Sequence, residues 1–68
     1  MKRPFYIVIQ EYLHTEQKSQ KEVAQMLGVS TGLVNDWVQG RSQPGYDSLQ
    51  EIVVKLGLSA EYALGLSE

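Results

Sequence analysis

The sequence predicts an all-α fold, a compact bundle of five short helices within a single domain spanning residues 1–68. Apolar residues recur three and four positions apart through most of the chain, which is the spacing of one helix face. Capping residues and glycines divide that pattern into short segments. No segment has the composition and alternation typical of a strand. Each of the five helices has its own start or stop signal.

The first helix is predicted to begin at Pro4, because the missing amide of proline costs nothing at a first helical position. Its apolar face comprises Phe5, Val8, Ile9, Tyr12 and Leu13. The helix should fade between His14 and Gln17. The β-branched run at residues 7–9 would also suit a strand.

The second helix is predicted to begin at Gln20, directly after a capping box. In that box the Ser19 hydroxyl accepts a hydrogen bond from the Glu22 amide, and the Glu22 carboxylate accepts one from the Ser19 amide. Gly28 provides a left-handed residue that ends the helix. Its buried face comprises Val23, Ala24 and Leu27.

The third helix is predicted to run from Thr31 to Gln39, with Ser30 as its N-cap and Gly40 as its end. Val34 and Trp37 should face the core. Trp37 is interpreted as a core residue and not as a platform on which a base would stack.

The fourth and fifth helices follow a loop that contains a Pro44-Gly45 turn. Asp47 and Gln50 have the spacing of a second capping box, which predicts that Asp47 caps the fourth helix. The core residues of this helix are Leu49, Ile52, Val53 and Leu56, and Gly57 ends it. Ser59 is the predicted cap of a last short helix that contains Tyr62, Ala63 and Leu66.

The segment from residue 20 to residue 39 has the features of a helix-turn-helix, two short helices joined by a tight turn. Such helices approach closely, so the motif requires a small residue, a glycine with positive φ, and buried apolar residues. Seven positions meet these demands: Val23, Ala24, Leu27, Gly28, Val29, Val34 and Trp37. In this motif the second helix enters the major groove and the first crosses the backbone.

The chain resembles the Cro and phage-repressor (XRE-type) family of helix-turn-helix proteins over nearly its whole length. The matching positions are Ser19-Gln20, Ala24, Leu27-Gly28-Val29-Ser30, Val34, Trp37, Gly40, Pro44, Leu49 and Leu56-Gly57. The resemblance implies a five-helix, lambda-repressor-like bundle that binds operator DNA, commonly as a two-fold dimer, and regulates transcription.

Three residues depart from the family pattern. Lys18 replaces the usual apolar residue before Ser19-Gln20, and Val38 stands where glutamate is common after the tryptophan. Asp36 places an acid on the predicted recognition helix, where it bears on DNA affinity or site preference.

The predicted base contacts lie on the exposed side of the third helix. Asn35 can pair with an adenine edge, Asp36 can accept from a cytosine amine, and Leu33 can touch a thymine methyl. Gly32 would let the backbone approach the DNA closely. The full set is Thr31, Gly32, Leu33, Asn35 and Asp36.

The predicted phosphate contacts lie at the ends of the two helices. Gln20 stands at a helix N-terminus, where free amides favour phosphate, and its family counterpart contacts the DNA backbone. The full set is Lys18, Gln20, Lys21, Gln39, Arg41 and Ser42.

Two alternatives stay open at these residues. Asn35, Asp36 and Gln39 could be the solvated face of an amphipathic helix with no ligand. Asp36 could repel wrong DNA sites, or it could lie at the rim of the interface.

The net charge of −2 is unusual for a DNA-binding domain, but the acids are unevenly distributed. Residues 1–45 carry five bases and four acids, whereas residues 46–68 carry one base and four acids. The predicted DNA face is therefore close to neutral.

Composition argues against several other classes of protein. Without cysteine there is no disulfide framework, which suits a reducing cytosol. The family resemblance implies a cytoplasmic protein of bacterial or phage origin. The longest apolar run, residues 5–9, is too short to cross a membrane. The single histidine, His14, suits a surface role at a helix end, and Ser19, Ser30 and Ser59 are explained as caps. No enzymatic activity, cofactor or metal is expected.

A homodimer is predicted, because one small domain cannot present two recognition helices about 34 Å apart. The expected interface is C-terminal, at Tyr62, Leu64 and Leu66. These residues could instead seal the monomer core over the first helix. A second functional hypothesis is an antitoxin or other interaction module that binds a protein partner through the acidic C-terminal third.

Overall fold

The computed structural model describes residues 4–63, which contain four helices and no strand. The helices are α1 (Phe5–Glu16), α2 (Gln20–Leu27), α3 (Thr31–Gln39) and α4 (Tyr46–Leu56). A single helical turn at Ala60–Ala63 follows α4. No helix among these residues has the length and apolar character that crossing a bilayer requires.

The predicted all-α fold is confirmed, but the predicted bundle of five helices is not borne out. Where the fifth helix was expected, the described chain forms only the four-residue turn Ala60–Ala63. A segment this short makes few internal hydrogen bonds and is held by packing, here through the buried Ala63. Leu66, the last predicted apolar residue of that helix, lies outside the described residues.

The predicted limits of the first helix are confirmed to within one residue. Pro4 is the N-cap and not the first helical residue, and its carbonyl accepts hydrogen bonds from the amides of Ile7 and Val8. The helix ends at Gln17, which adopts the left-handed conformation with φ of 54° although it has a side chain. Because no glycine marks this end, its position could be predicted only approximately.

The predicted limits of the second and third helices are confirmed. The capping box forms, with 3.1 Å from the Glu22 amide to Ser19 Oγ and 2.9 Å from the Ser19 amide to Glu22 Oε1. Ser30 Oγ accepts a hydrogen bond of 3.1 Å from the Leu33 amide. Gly28 and Gly40 end the two helices with φ of 72° and 76°.

The predicted cap of the fourth helix is wrong. The helix begins at Tyr46, with Gly45 as an N-cap that provides no side chain, and the Gly45 carbonyl accepts from the Leu49 amide at 2.8 Å. Asp47 therefore lies inside the first turn, where its negative charge interacts favourably with the positive end of the helix dipole. The Gln50 side chain donates through Nε2 to the Tyr46 hydroxyl at 3.2 Å, within the first turns of the helix.

The core brings α1, α2, α3 and α4 together around Trp37, which is 2% exposed, as predicted. The ring of Phe5 meets that of Trp37 edge to face, with 6.0 Å between centroids and 89° between planes. The other most deeply buried side chains are Val8, Ile9, Val23, Val34 and Ile52. Three residues predicted to be buried are only partly so: Val29, Leu49 and Val53.

The helix packing leaves one side of α3 uncovered. Helix α3 contacts both α1 and α2, while α4 packs against α2. Val34 and Trp37 face this core, and Thr31, Gly32 and Gln39 are exposed. The uncovered side of α3 is therefore the part of the helix-turn-helix that a ligand can reach.

Candidate nucleic-acid interface

The turn between α2 and α3 holds the two helices rigidly. Only residues 28–30 separate them, and the Val29 amide donates to the Ala24 carbonyl at 3.0 Å. Val23 and Ala24 on α2 and Val34 on α3 are at most 2% exposed, so the close approach that the motif needs is present. The relation of α3 to α2 is thus fixed by packing and by a closed turn.

The start of α2 is stabilised by a charge-assisted cap. The Ser19 amide that donates to the Glu22 carboxylate has the largest effect and lowers the pKa of Glu22. Desolvation opposes it less strongly, and the Ser19 hydroxyl and nearby Lys18 add smaller lowering effects. The ionised carboxylate is therefore favoured in the folded state. This contribution to stability is present above the ordinary pKa of Glu22 and is lost as pH falls through the depressed one.

The residues predicted to contact bases differ in how far they are exposed. Thr31 and Gly32 are exposed at the N-terminal end of α3, and Asn35 and Asp36 are half-buried. Leu33 is half-buried too, and it packs against the core cluster. Because most of its apolar surface has protein neighbours, Leu33 has less to offer a thymine methyl than its position suggested.

The residues predicted to contact phosphate lie at two places along the chain. Lys18, Gln20 and Lys21 surround the start of α2, with Lys21 exposed and the other two half-buried. Gln39 and Arg41 are exposed at the end of α3.

Ser42 differs from the other predicted phosphate contacts. Its Oγ is buried and has no hydrogen-bond partner among the described residues. The hydroxyl would have to turn outward before it could reach a phosphate.

An ion pair that the sequence reasoning missed lies at the end of α3. Arg41 Nε donates to Asp36 Oδ1 at 3.0 Å, and the two side chains are 59% and 44% exposed. The carbonyl of Asp36 also accepts a hydrogen bond of 2.9 Å from the Arg41 amide. Two residues that were assigned separately, one to a base and the other to phosphate, therefore form one unit. An acid and a base five positions apart, on either side of a terminal glycine, are the sequence signal for such a pair.

Helix α1 supports the same end of α3. Gln10 Nε2 donates to the carbonyl of Val38 at 2.8 Å, satisfying a carbonyl in the last turn of α3. The ring of Tyr6 lies close to Gly40, such that a Cβ built on Gly40 would be 3.4 Å from Tyr6 Cδ2. Neither contact has a local sequence signal, because the partners are about thirty residues apart.

The side chains predicted to form a dimer interface lie outside the described part of the chain. The side chain of Tyr62 and the whole of Leu64 and Leu66 lie outside the described residues. Within the described part, Tyr46 and Val54 on α4 are each 76% exposed and are the most exposed large apolar side chains. No group of three acidic or histidine side chains within residues 4–63 is arranged to hold a metal ion.

Comparison with known proteins agrees with this geometry. A family model described as helix-turn-helix matches residues 16–62, which include α2, α3 and α4. No curated protein and no solved structure matches the chain. The matched segment covers more than half of the 68 residues.

Proposed function

Since the chain belongs to the helix-turn-helix family of the Cro and phage-repressor type, whose members are DNA-binding regulators, we propose that it is a sequence-specific repressor of transcription. In this proposal α3 reads the major groove of duplex DNA, and α2 lies across the sugar-phosphate backbone. The observation that carries the proposal is the uncovered side of α3, held in place by α1 and α2.

Base reading falls to the uncovered residues of α3. Asn35 can donate to N7 and accept from N6 of adenine, and Thr31 can use its hydroxyl or methyl group on a neighbouring base. A bidentate pair contributes about 1–3 kcal/mol of discrimination against the wrong base. Gly32, which lacks a side chain, lets the backbone of α3 lie close to the groove.

Phosphate contacts fix the register of α3 on the duplex. Gln20 and Lys21 at the start of α2 would hold one side of the site, and Gln39 and Arg41 at the end of α3 the other. Because the set contains few cations, each chain neutralises few phosphates and the dependence of affinity on salt should be modest. Selective binding then depends strongly on base contacts and on the pairing of two chains.

The experiment is selection of duplexes from a random pool, followed by affinity measurement on the selected sequence. We expect a short consensus that is enriched over rounds and bound more tightly than unselected duplex. Asn35→Ala should lose about 1–3 kcal/mol on the consensus and lose preference at one base position.

Gln50→Ala is the matched control, because it also removes an amide side chain but lies on α4, outside the predicted contact set. It should bind as the unmodified chain does. Equal losses in both variants would mean that Asn35 contributes no base contact. A pool that yields no consensus would contradict the proposed function.

A second candidate function is recognition of a protein partner through the C-terminal third. The exposed Tyr46 and Val54 on α4 favour it, because large apolar side chains in such positions are typical of interaction surfaces. A chain that retains no duplex above background, yet binds a protein partner that Val54→Lys abolishes, would favour this function over DNA recognition.

A further inference from the structure

The four helices have one type of hydrogen bond in common at their C-terminal ends. In every case the amide of the residue after the left-handed position donates to a carbonyl five residues earlier. The donor and acceptor pairs are Lys18 and Leu13, Val29 and Ala24, Arg41 and Asp36, and Leu58 and Val53, with distances of 2.9 to 3.1 Å. The backbone therefore brings each of these pairs of residues together.

The side chains at these positions normally make an apolar contact. The pairs at the ends of α2 and α4 are both apolar. The end of α3 carries Asp36 and Arg41 instead, joined by the 3.0 Å ion pair. The one charged pair among these four helix ends thus lies on the recognition helix, beside the predicted phosphate contacts.

Stability alone does not account for this pair. Both side chains are about half exposed, and exposed ion pairs contribute little to folding. The geometry of the contact is more informative. Asp36 Oδ1 accepts from Nε of Arg41, and no hydrogen bond to the two amino groups at the tip of the guanidinium is present among the described residues. Those groups are the donors that bind phosphate in a planar fork.

We propose that Asp36 is a positioning residue for DNA binding, which holds the guanidinium of Arg41 so that its outer N–H groups face a backbone phosphate. This inference rests on the proposed function. A flexible arginine loses side-chain freedom when it binds, and a guanidinium already held by Asp36 loses less. Asp36 thereby favours DNA binding in spite of its negative charge, and it acts through Arg41 and not on a base.

The test is a double-mutant cycle of the unmodified chain, Asp36→Asn, Arg41→Gln and the double variant on the selected duplex. Asp36→Asn makes the protein more positive, yet we expect it to weaken binding about three- to tenfold, as loss of a charge-assisted phosphate contact does. The slope of log affinity against log salt should also become shallower by about 0.9 per bound chain. In the Arg41→Gln background the same substitution should cause no further loss.

Arg41→Lys gives a second arm, since lysine keeps the charge but has no Nε for Asp36 to hold. In this background Asp36→Asn should not weaken binding. Thermal unfolding of each variant separates DNA effects from loss of fold, because a purely structural role for Asp36 would lower stability without coupling to Arg41 in the salt slope.

Three outcomes would overturn the inference while the proposed function stands. Asp36→Asn could tighten binding, which would make Asp36 a simple electrostatic penalty. It could change the preferred base at one position, which would make Asp36 a base-reading residue. The two substitutions could also act additively. If the unmodified chain selects no duplex, the proposed function and this inference both fail.

Discussion

Among the individual residues, Gly32 has no folding role that requires glycine. It lies in the first turn of α3 with ordinary helical φ, and a Cβ built on it would meet only Ser30 Oγ, at 4.0 Å. Glycine in a helix costs up to about 1 kcal/mol relative to alanine. This cost without a compensating contact in the fold is expected where the backbone must come close to a ligand.

Gly32→Ala should therefore stabilise the fold and weaken DNA binding. We expect a gain of about 0.5–1 kcal/mol in the free energy of unfolding, measured by chemical denaturation. Affinity for the selected duplex should fall, because in the proposed complex the added methyl group would occupy space next to the groove. A variant that is more stable and binds DNA unchanged would show that Gly32 makes no close approach.

Among the helices, α1 is the exception in the type of residue that occupies its left-handed end position. Helices α2, α3 and α4 end at glycines with positive φ, whereas α1 ends at Gln17 with φ of 54°. For a residue with a side chain the left-handed conformation costs about 1–2 kcal/mol. The closed turn around Gln17, in which the Lys18 amide donates to the Leu13 carbonyl at 3.0 Å, holds the residue there.

Gln17→Gly should stabilise the chain by about 0.5–1 kcal/mol, since relief of the left-handed strain exceeds the added entropy of glycine in the unfolded state. Denaturant midpoints measure the change. Gly28→Ala is the reciprocal control, because Gly28 has φ of 72° and a Cβ placed there would meet no atom within 4 Å. It should lose about 1 kcal/mol. A loss in both variants would mean that Gln17 makes a favourable contact that outweighs its strain.

For the molecule as a whole, size and charge both favour a dimer on DNA. The Cα atoms extend 29 Å along the longest axis, which is less than the roughly 34 Å between half-sites one turn of DNA apart. With a net charge of −2, a single chain should bind unselected DNA weakly. Two chains on a symmetric site would make twice as many base contacts and twice as many phosphate contacts as one chain.

We predict that two chains bind each symmetric duplex. Sedimentation at micromolar protein concentration, with the selected duplex and with a half-site duplex of the same length, measures the stoichiometry. The full site should carry two chains and bind each more tightly than the half-site does. One chain per full site at saturation would contradict the dimer.

The limits of α2 and α3 could be predicted from the sequence because the interactions that set them are local. Ser19 and Glu22 are three residues apart, and Gly28 and Gly40 act through their own backbone. The same local rule was wrong at Asp47, because the helix already begins at Tyr46 with Gly45 as its N-cap, which leaves Asp47 inside the first turn. A capping pattern therefore predicts a helix start only where the backbone does not become helical before the capping residue.

The all-α class, the helix-turn-helix at residues 20–39 and the residues on the outer side of its second helix all follow from the sequence alone. These features are determined by hydrophobic spacing and by capping residues, which act over only a few neighbouring positions in the sequence. The folded arrangement was needed to establish that Asp36 pairs with Arg41, that Gln10 supports the end of α3 and that the Ser42 hydroxyl is buried. These features depend on how the chain turns after α3 and on how α1 packs against α3. Both are determined by the tertiary packing of the helices.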